Sequence, residues 1–191
     1  MLASLVEAAY HIPSPVQAGM IPCALTGRDV LGQARTGTGK TAAFAIPILE
    51  QIGRGGEGPL PQAIVLVPTR ELAVQVRDEI SKLAKGRKTR VVAVYGGKPI
   101  REQVTKLTRG AEIVVGTPGR VIDLLARNSL QLQNLKIVVL DEADRMLDIG
   151  FRPDIEKILR RCPTQRQTLL LSATVAPGVE RLAKRYMIDP E

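Results

Sequence analysis

Histidine is almost missing from this chain: of 191 residues only His11 carries an imidazole. A His-based metal site and a Ser-His-Asp triad are thereby all but excluded. Tryptophan is absent and aromatics make up 3%, so a core drawn from the 45% hydrophobic residues must be aliphatic. Cysteine is nearly as scarce. Cys23 and Cys162 show no metal-ligand spacing and read best as buried, inert thiols. Such sparse use, without a secretion signal, points to a reducing cytoplasm. The apolar run from Ala42 to Leu49 is far too short to span a bilayer. Positive charge, by contrast, is in excess. A formal net charge of +8 and a pI near 9.9 favour anionic partners, nucleic acid ahead of a membrane surface. The length suits one domain.

The stretch Ala34-Arg35-Thr36-Gly37-Thr38-Gly39-Lys40-Thr41 organises the rest. It follows a short apolar run, Asp29 to Gln33, and opens a helical pattern from Thr41 to Ile52. Strand, Gly-rich turn, Gly-Lys-Thr and helix form the context of a phosphate-binding loop. Glycines let backbone N–H groups turn toward phosphate oxygens, and the helix N-terminus adds partial positive charge. Lys40 would reach the β- and γ-phosphates, and the Thr41 hydroxyl would ligate Mg²⁺. Ala34 stands where the general pattern has Gly. The plainer alternative is a Gly-rich turn with a solvated lysine.

Five further apolar runs alternate with helical patterns: Ala63–Val67, Val91–Val94, Ile113–Val115, Ile137–Leu140 and Thr168–Leu171. Short β-branched runs joined through helices predict buried parallel strands with right-handed crossovers. The fold expected is α/β, a single P-loop domain whose mostly parallel sheet carries helices on both faces. Residues 1–28 read as helix, turn, helix, with Ser14 as N-cap and Pro15 at the first helical position. Gln17 fits the third member of a capping box there. Thr69 and Thr117 are candidate N-caps, and Pro47 should kink its helix. Gly53 to Pro59 reads as a surface loop. Lys82, Lys85, Arg87, Lys88 and Arg90 read as a solvated helix end.

Polar and glycine residues follow each run, at the edge where open α/β sheets bind ligands. Asp141-Glu142 falls there about 100 residues after Lys40. Asp141 fits a Mg²⁺ ligand acting through water, and Glu142 fits a base for the attacking water. Two solvated acids at a helix N-terminus are the alternative. Ser172 and Thr174 could bond Asp144, or simply cap the next helix. Arg70, Gly97, Thr117, Gly119 and Arg120 share the edge, where small residues admit a ligand backbone. Either arginine could instead pair with an internal acid such as Asp144. Aromatics for base stacking are lacking, so a bound strand would be held by its backbone.

With Asp141-Glu142-Ala143-Asp144 in place, the whole set resembles the N-terminal RecA-like domain of DEAD-box ATP-dependent RNA helicases. Pro13-Ser14-Pro15-Val16-Gln17 resembles the family's Q motif, and Ala34 to Thr41 its motif I, in which Ala34 is the normal form. Pro68-Thr69-Arg70-Glu71-Leu72-Ala73 resembles motif Ia. Gly96-Gly97 and Thr117-Pro118-Gly119-Arg120 resemble the RNA-backbone elements, and Ser172-Ala173-Thr174 motif III. The resemblance implies that Gln17 reads the adenine of ATP and that Arg70, Gly97, Thr117, Pro118, Gly119 and Arg120 contact RNA. It also implies that Ser172 and Thr174, with Asp144, couple hydrolysis to strand separation. Two departures show. Ala9 replaces a frequent Gly, and the family's upstream aromatic would fall before Met1, leaving Tyr10 to cover the base in part. The family's second RecA-like domain, with its arginine finger, would follow Glu191. A chain without it should bind ATP and Mg²⁺ yet hydrolyse little.

The function expected is therefore the ATP-binding motor domain of a cytoplasmic, monomeric RNA helicase, with RNA and a C-terminal RecA-like domain as partners and no membrane. A nucleotide-gated RNA- or protein-binding module without its own hydrolysis is the alternative from another class. A P-loop small-molecule kinase is a third, but it leaves the Gln17 element unexplained and shows no acceptor pocket.

Overall fold

The run before the Gly-rich turn and the five further runs become the strands of one six-stranded sheet in the computed structural model, which describes residues 12–35, 37–52 and 60–191. The first half of the expected N-terminal helix pair, Ala9, Tyr10, His11, Thr36 and the 53–59 loop lie outside the described residues. The chain runs α1 (Pro15–Leu25), β1 (Val30–Gln33), α2 (Lys40–Gln51), β2 (Ala63–Leu66), α3 (Arg70–Leu83), β3 (Val91–Val94) and α4 (Ile100–Thr108). It continues through β4 (Ile113–Gly116), α5 (Pro118–Ala126), β5 (Ile137–Leu140), α6 (Ala143–Asp148), α7 (Arg152–Leu159), β6 (Gln167–Ser172) and α8 (Pro177–Tyr186). All pairings are parallel, in the order β1-β6-β5-β2-β4-β3. Parallel strands need crossovers, and helices on both faces then bury the sheet twice over.

That double burial explains the sequence of the strands. In β2 and β5 successive residues face opposite cores: Ile64, Leu66, Val138 and Leu140 join one cluster, and Ala63, Val65, Ile137 and Val139 the other. The first core is closed by α4 through α8, and the second by α1, α2 and α3. Both are aliphatic, as the composition requires, with Phe44 the one aromatic among the largest fully buried side chains. Burying a side chain of that size contributes about 1.5–3 kcal/mol. Pro47 lies within α2, which continues to Gln51, and Pro22 lies within α1.

Polar side chains close the sheet at the end opposite the motifs. The Asp29 carboxylate accepts from the Thr168 and Ile188 N–H groups, each at 2.7 Å. Gln167 Nε2 donates to the carbonyls of Ala24 and Arg28. The basic run after α3 is less solvated than the sequence suggests. Arg87 bonds the Leu49 carbonyl and pairs with Glu50 at 2.6 Å, so it braces α2. Arg90 bonds the Arg109 carbonyl and contacts buried Glu112. Cys162 is buried, and burial pushes its thiol up to about 11; Cys23 is half-buried, and both are unpaired thiols. Among the described residues no helix is long and apolar enough to cross a membrane.

Candidate nucleotide and RNA-backbone edge

The Gly-rich turn leaves β1 and enters α2 with Gly37 and Gly39 at φ +83° and +87°. That left-handed backbone is open to glycine at little cost. Gly39 is the N-cap of α2, so Lys40 and Thr41 begin its first turn. The turn is held at both ends. The Ala34 N–H donates to the Ser172 carbonyl at 2.9 Å, and the Thr38 hydroxyl donates to the Arg35 carbonyl at 2.7 Å. Gln17 reaches it from α1. Its Oε1 accepts from the Ser14 N–H at 3.0 Å, the return half of a capping box, while Nε2 donates to the Gly39 carbonyl at 3.1 Å. The Ser14 hydroxyl faces the N3 backbone in the other half of the box, but it is buried without a full hydrogen bond.

Lys40 is only 6% exposed. Its Nζ lies 3.5 Å from Asp141 Oδ1 and makes no hydrogen bond. Asp141 is also buried, at the end of β5, and its Oδ1 accepts from the Glu142 N–H at 2.9 Å. Burial pushes the Asp141 carboxyl above its ordinary value, and the Lys40 charge only partly offsets this. Glu142 adopts the left-handed conformation, φ +52°, and its carboxylate lies 3.3 Å from Arg145. Gly37, Lys40, Thr41, Asp141 and Glu142 line a cavity of about 350 Å³. Leu72, Gln75 and Glu79 of α3 line it too, residues that sequence reasoning missed. Their spacing of three and four after Thr69-Arg70 puts them on one helix face, which was the available signal.

Beside this cavity, Ser172 Oγ accepts from the Asp144 N–H at 3.2 Å. Asp144 Oδ2 accepts from both the N–H and the hydroxyl of Thr174, each at 3.0 Å. Partial burial alone would raise the Asp144 carboxyl. The N–H groups of Arg145 and Thr174 and the hydroxyls of Thr174 and Ser172 outweigh it, and hold it below the usual carboxylate value. The two hydroxyls therefore bind Asp144 rather than capping α8, whose N-cap is Ala176.

Across the sheet lies the outer half of the same edge. Thr69 caps α3 through its hydroxyl, which accepts from the Leu72 N–H at 3.2 Å. Thr117 is the N-cap of α5 by position, without a side-chain cap bond, and Pro118 opens the helix. Arg70, 57% exposed, pairs with Glu71 at 2.7 Å, and its Nη1 would lie 3.5 Å from a Cβ on Gly97. Arg120 donates twice to the Lys98 carbonyl, at 3.1 and 3.2 Å, and lies 3.9 Å from Asp123. Both arginines thus take partners other than Asp144. Gly96 and Gly119 face open space. Of the residues expected at this edge, Tyr10 and Thr36 lie outside the described residues; the others fall on the P-loop, on Gln17 beneath it, or at the strand ends that follow β2 to β6.

A fully parallel sheet carrying a P-loop at one strand end and an acidic pair at another defines a P-loop nucleotide-binding domain, and the strand order β1-β6-β5-β2-β4-β3 places it in the RecA-like class. The fold matches solved structures of that class. A DEAD box protein from Methanococcus jannaschii superposes with a TM-score of 0.94 at 43% identity, over the whole of this chain and 52% of that one. A hypothetical ATP-dependent RNA helicase from Sulfolobus tokodaii gives 0.91 at 38% identity, over the whole chain and 55% of that one. The DEAD/DEAH box helicase model matches residues 14–182, and the chain belongs to that family. It is 47% identical to the ATP-dependent RNA helicase CshA of Limosilactobacillus reuteri and 46% identical to the DEAD-box ATP-dependent RNA helicase CshA of Bacillus subtilis. Each alignment covers the whole chain and 38% of the relative, so the chain spans little more than a third of these curated relatives.

Proposed function

We propose that this chain is the ATP-binding motor domain of an RNA helicase, coupling ATP hydrolysis to local duplex separation together with a second RecA-like domain. The Lys40 ammonium carries the reading. A buried cation without a hydrogen bond is costly unless a ligand completes it. Backbone N–H groups of the Gly37–Lys40 turn and a cavity of about 350 Å³ beside it suit a polyphosphate.

Within that reading each residue has a task. Ala34, Arg35, Thr36, Gly37, Thr38 and Gly39 wrap the phosphates, and Lys40 donates to them. Thr41 and Asp141 would hold Mg²⁺, whose charge neutralises the β- and γ-phosphate oxygens when bound. The unfavourable burial of the Asp141 carboxylate supports that role, because a nearby cation would lower its pKa. Glu142 orients the attacking water and takes its proton. Gln17 keeps one N–H and one lone pair after its two protein bonds. That pair matches the N7 acceptor and N6 donor of adenine, and Tyr10 would cover the base in part. Asp144, Ser172 and Thr174 link the nucleotide site to the rest of the edge. Arg70, Gly97, Thr117, Pro118, Gly119 and Arg120 hold the RNA backbone.

The chain's share of its curated relatives leaves room for a further domain, which would supply an arginine worth about 10³–10⁵ in rate. The two free cysteines suit a reducing cytoplasm, and we infer a monomer there. Calorimetric titration tests the nucleotide assignment: MgATP should bind more tightly than MgGTP, and equal affinities would contradict the role of Gln17. A phosphate-release assay tests the rest. Turnover should be negligible for this chain and should rise with RNA when a matching C-terminal domain is fused. Equal turnover with and without that domain would instead mean that the chain is complete in catalysis.

A further inference from the structure

The outer half of the edge contains a device that the motifs do not announce. Strand β3 lies at the rim of the sheet and, among the described residues, pairs only with β4. The last partners are Val94 and Gly116, after which the Thr117 N–H takes the Val94 carbonyl at 3.1 Å and the chain turns into α5. Tyr95 therefore has no strand beside it, and its backbone groups need partners from elsewhere. Gln103, on α4 and only 5% exposed, supplies both. Its Oε1 accepts from the Tyr95 N–H and its Nε2 donates to the Tyr95 carbonyl, each at 3.0 Å. One side-chain amide thus substitutes for a missing strand residue. Three residues on, the turn is held again, where the two terminal nitrogens of Arg120 meet the Lys98 carbonyl at 3.1 and 3.2 Å. Arg120 is 12% exposed and also near Asp123, so its guanidinium is largely committed within the protein.

We infer that Gln103 and Arg120 are positioning residues that clamp the Tyr95–Lys98 turn at its two ends, presenting the Gly96–Gly97 backbone to an RNA phosphate chain. This rests on the proposed RNA-binding role of the edge and changes the part Arg120 plays in it. Between the clamps Gly97 sits at φ +80°, and a Cβ on Gly96 would meet nothing within 4 Å. The turn is thus fixed in place while its middle stays bare. Exposed Arg70, beside Gly97, is a cation placed to meet a phosphate. Preformed donors spare the ligand the cost of ordering the loop.

The charge separates positioning from contact. Each phosphate neutralised on a single strand contributes about 0.7 to the slope of log affinity against log salt. Binding of a fluorescent single-stranded RNA to this chain, measured across salt, should respond in three ways. Gln103→Leu should weaken binding about 5- to 30-fold with the slope unchanged, on the scale of one or two hydrogen bonds. Arg120→Gln should do the same, whereas Arg70→Gln should lower the slope by about 0.7. Amide exchange should show Tyr95 losing protection in Gln103→Leu, while ATP affinity holds and the protein still unfolds cooperatively, at a lowered melting temperature. Wild-type RNA affinity in Gln103→Leu despite a deprotected Tyr95 would overturn the clamp, as would an Arg120→Gln slope reduced like that of Arg70→Gln. If Arg70→Gln and Thr117→Ala also left RNA binding intact, the RNA assignment itself would fall, and the clamp's role with it.

Discussion

The inner and outer halves of one sheet edge solve opposite problems. Around the P-loop, charge is buried: Lys40 and Asp141 face each other at 3.5 Å, and neither is more than 6% exposed. At the ends of β2, β4 and β3 the arginines reach solvent or are satisfied by acids and carbonyls, and Gly96 and Gly119 face open space. Buried charge binds strongly and selectively because its desolvation is already spent in folding, but it tolerates little change. Exposed charge and bare backbone adapt to a polymer of any sequence, at the cost of salt sensitivity. Placing both at strand ends of one rigid sheet gives two surfaces of different chemistry that share a frame. The Asp144–Ser172–Thr174 contacts lie beside the inner one.

The largest contrast should appear in catalysis. Glu142→Gln, in a fusion with a C-terminal domain, should keep ATP binding and cut steady-state phosphate release by about 10²–10⁴-fold, since a carboxamide cannot take the proton of the attacking water. Residual turnover within a few-fold of wild type would move the base elsewhere. Glycine substitutions probe the two halves next. An alanine Cβ at Gly39 would fall 2.4 Å from Gln17 Nε2, in a left-handed backbone at φ +87°. Gly39→Ala should therefore cost about 1–3 kcal/mol in urea unfolding. Gly119→Ala meets nothing within 4 Å and lies in the first turn of α5, so it should stabilise by about 0.4–1 kcal/mol. A smaller loss at Gly39 than at Gly119 would remove the contrast. The smallest effect concerns acid. The Asp144 carboxyl is held below its ordinary value in the folded state, so its contribution is present above that value and fades as pH falls through the lowered one. Asp144→Asn should lose part of the wild type's stability at neutral pH, and the difference should close below about pH 4. A gap unchanged at lower pH would mean that the carboxylate charge contributes nothing.

Much of this was legible in the chain. Strands β3 and β5 have the boundaries that their apolar runs predict; in β5 four β-branched or leucine residues buried on both faces admit few alternatives. Motif residues were legible because phosphate and metal chemistry restricts residue type and spacing together. Long-range side-chain bonds were not. Gln103 looks like any polar helix residue until β3 is known to be a rim strand. Arg87 sits in a basic run that reads as solvated, and only the packing of α2 reveals it as a brace. Gln17 was open to two roles, and the structure adds a bond to Gly39 that lies 22 residues away. In each case the partner is fixed by topology, which local pattern does not encode.

Lys40 bears most directly on the proposal that the inner half is built to bind a polyphosphate. MgATP titrated calorimetrically into the wild type and Lys40→Ala should show a roughly 10- to 100-fold loss of affinity, the scale of a hydrogen bond from a charged group worth about 1.5–3 kcal/mol. Binding of single-stranded RNA without nucleotide should be unchanged. Equal MgATP affinity in the two proteins would contradict the account, because the buried ammonium would then have no phosphate to meet.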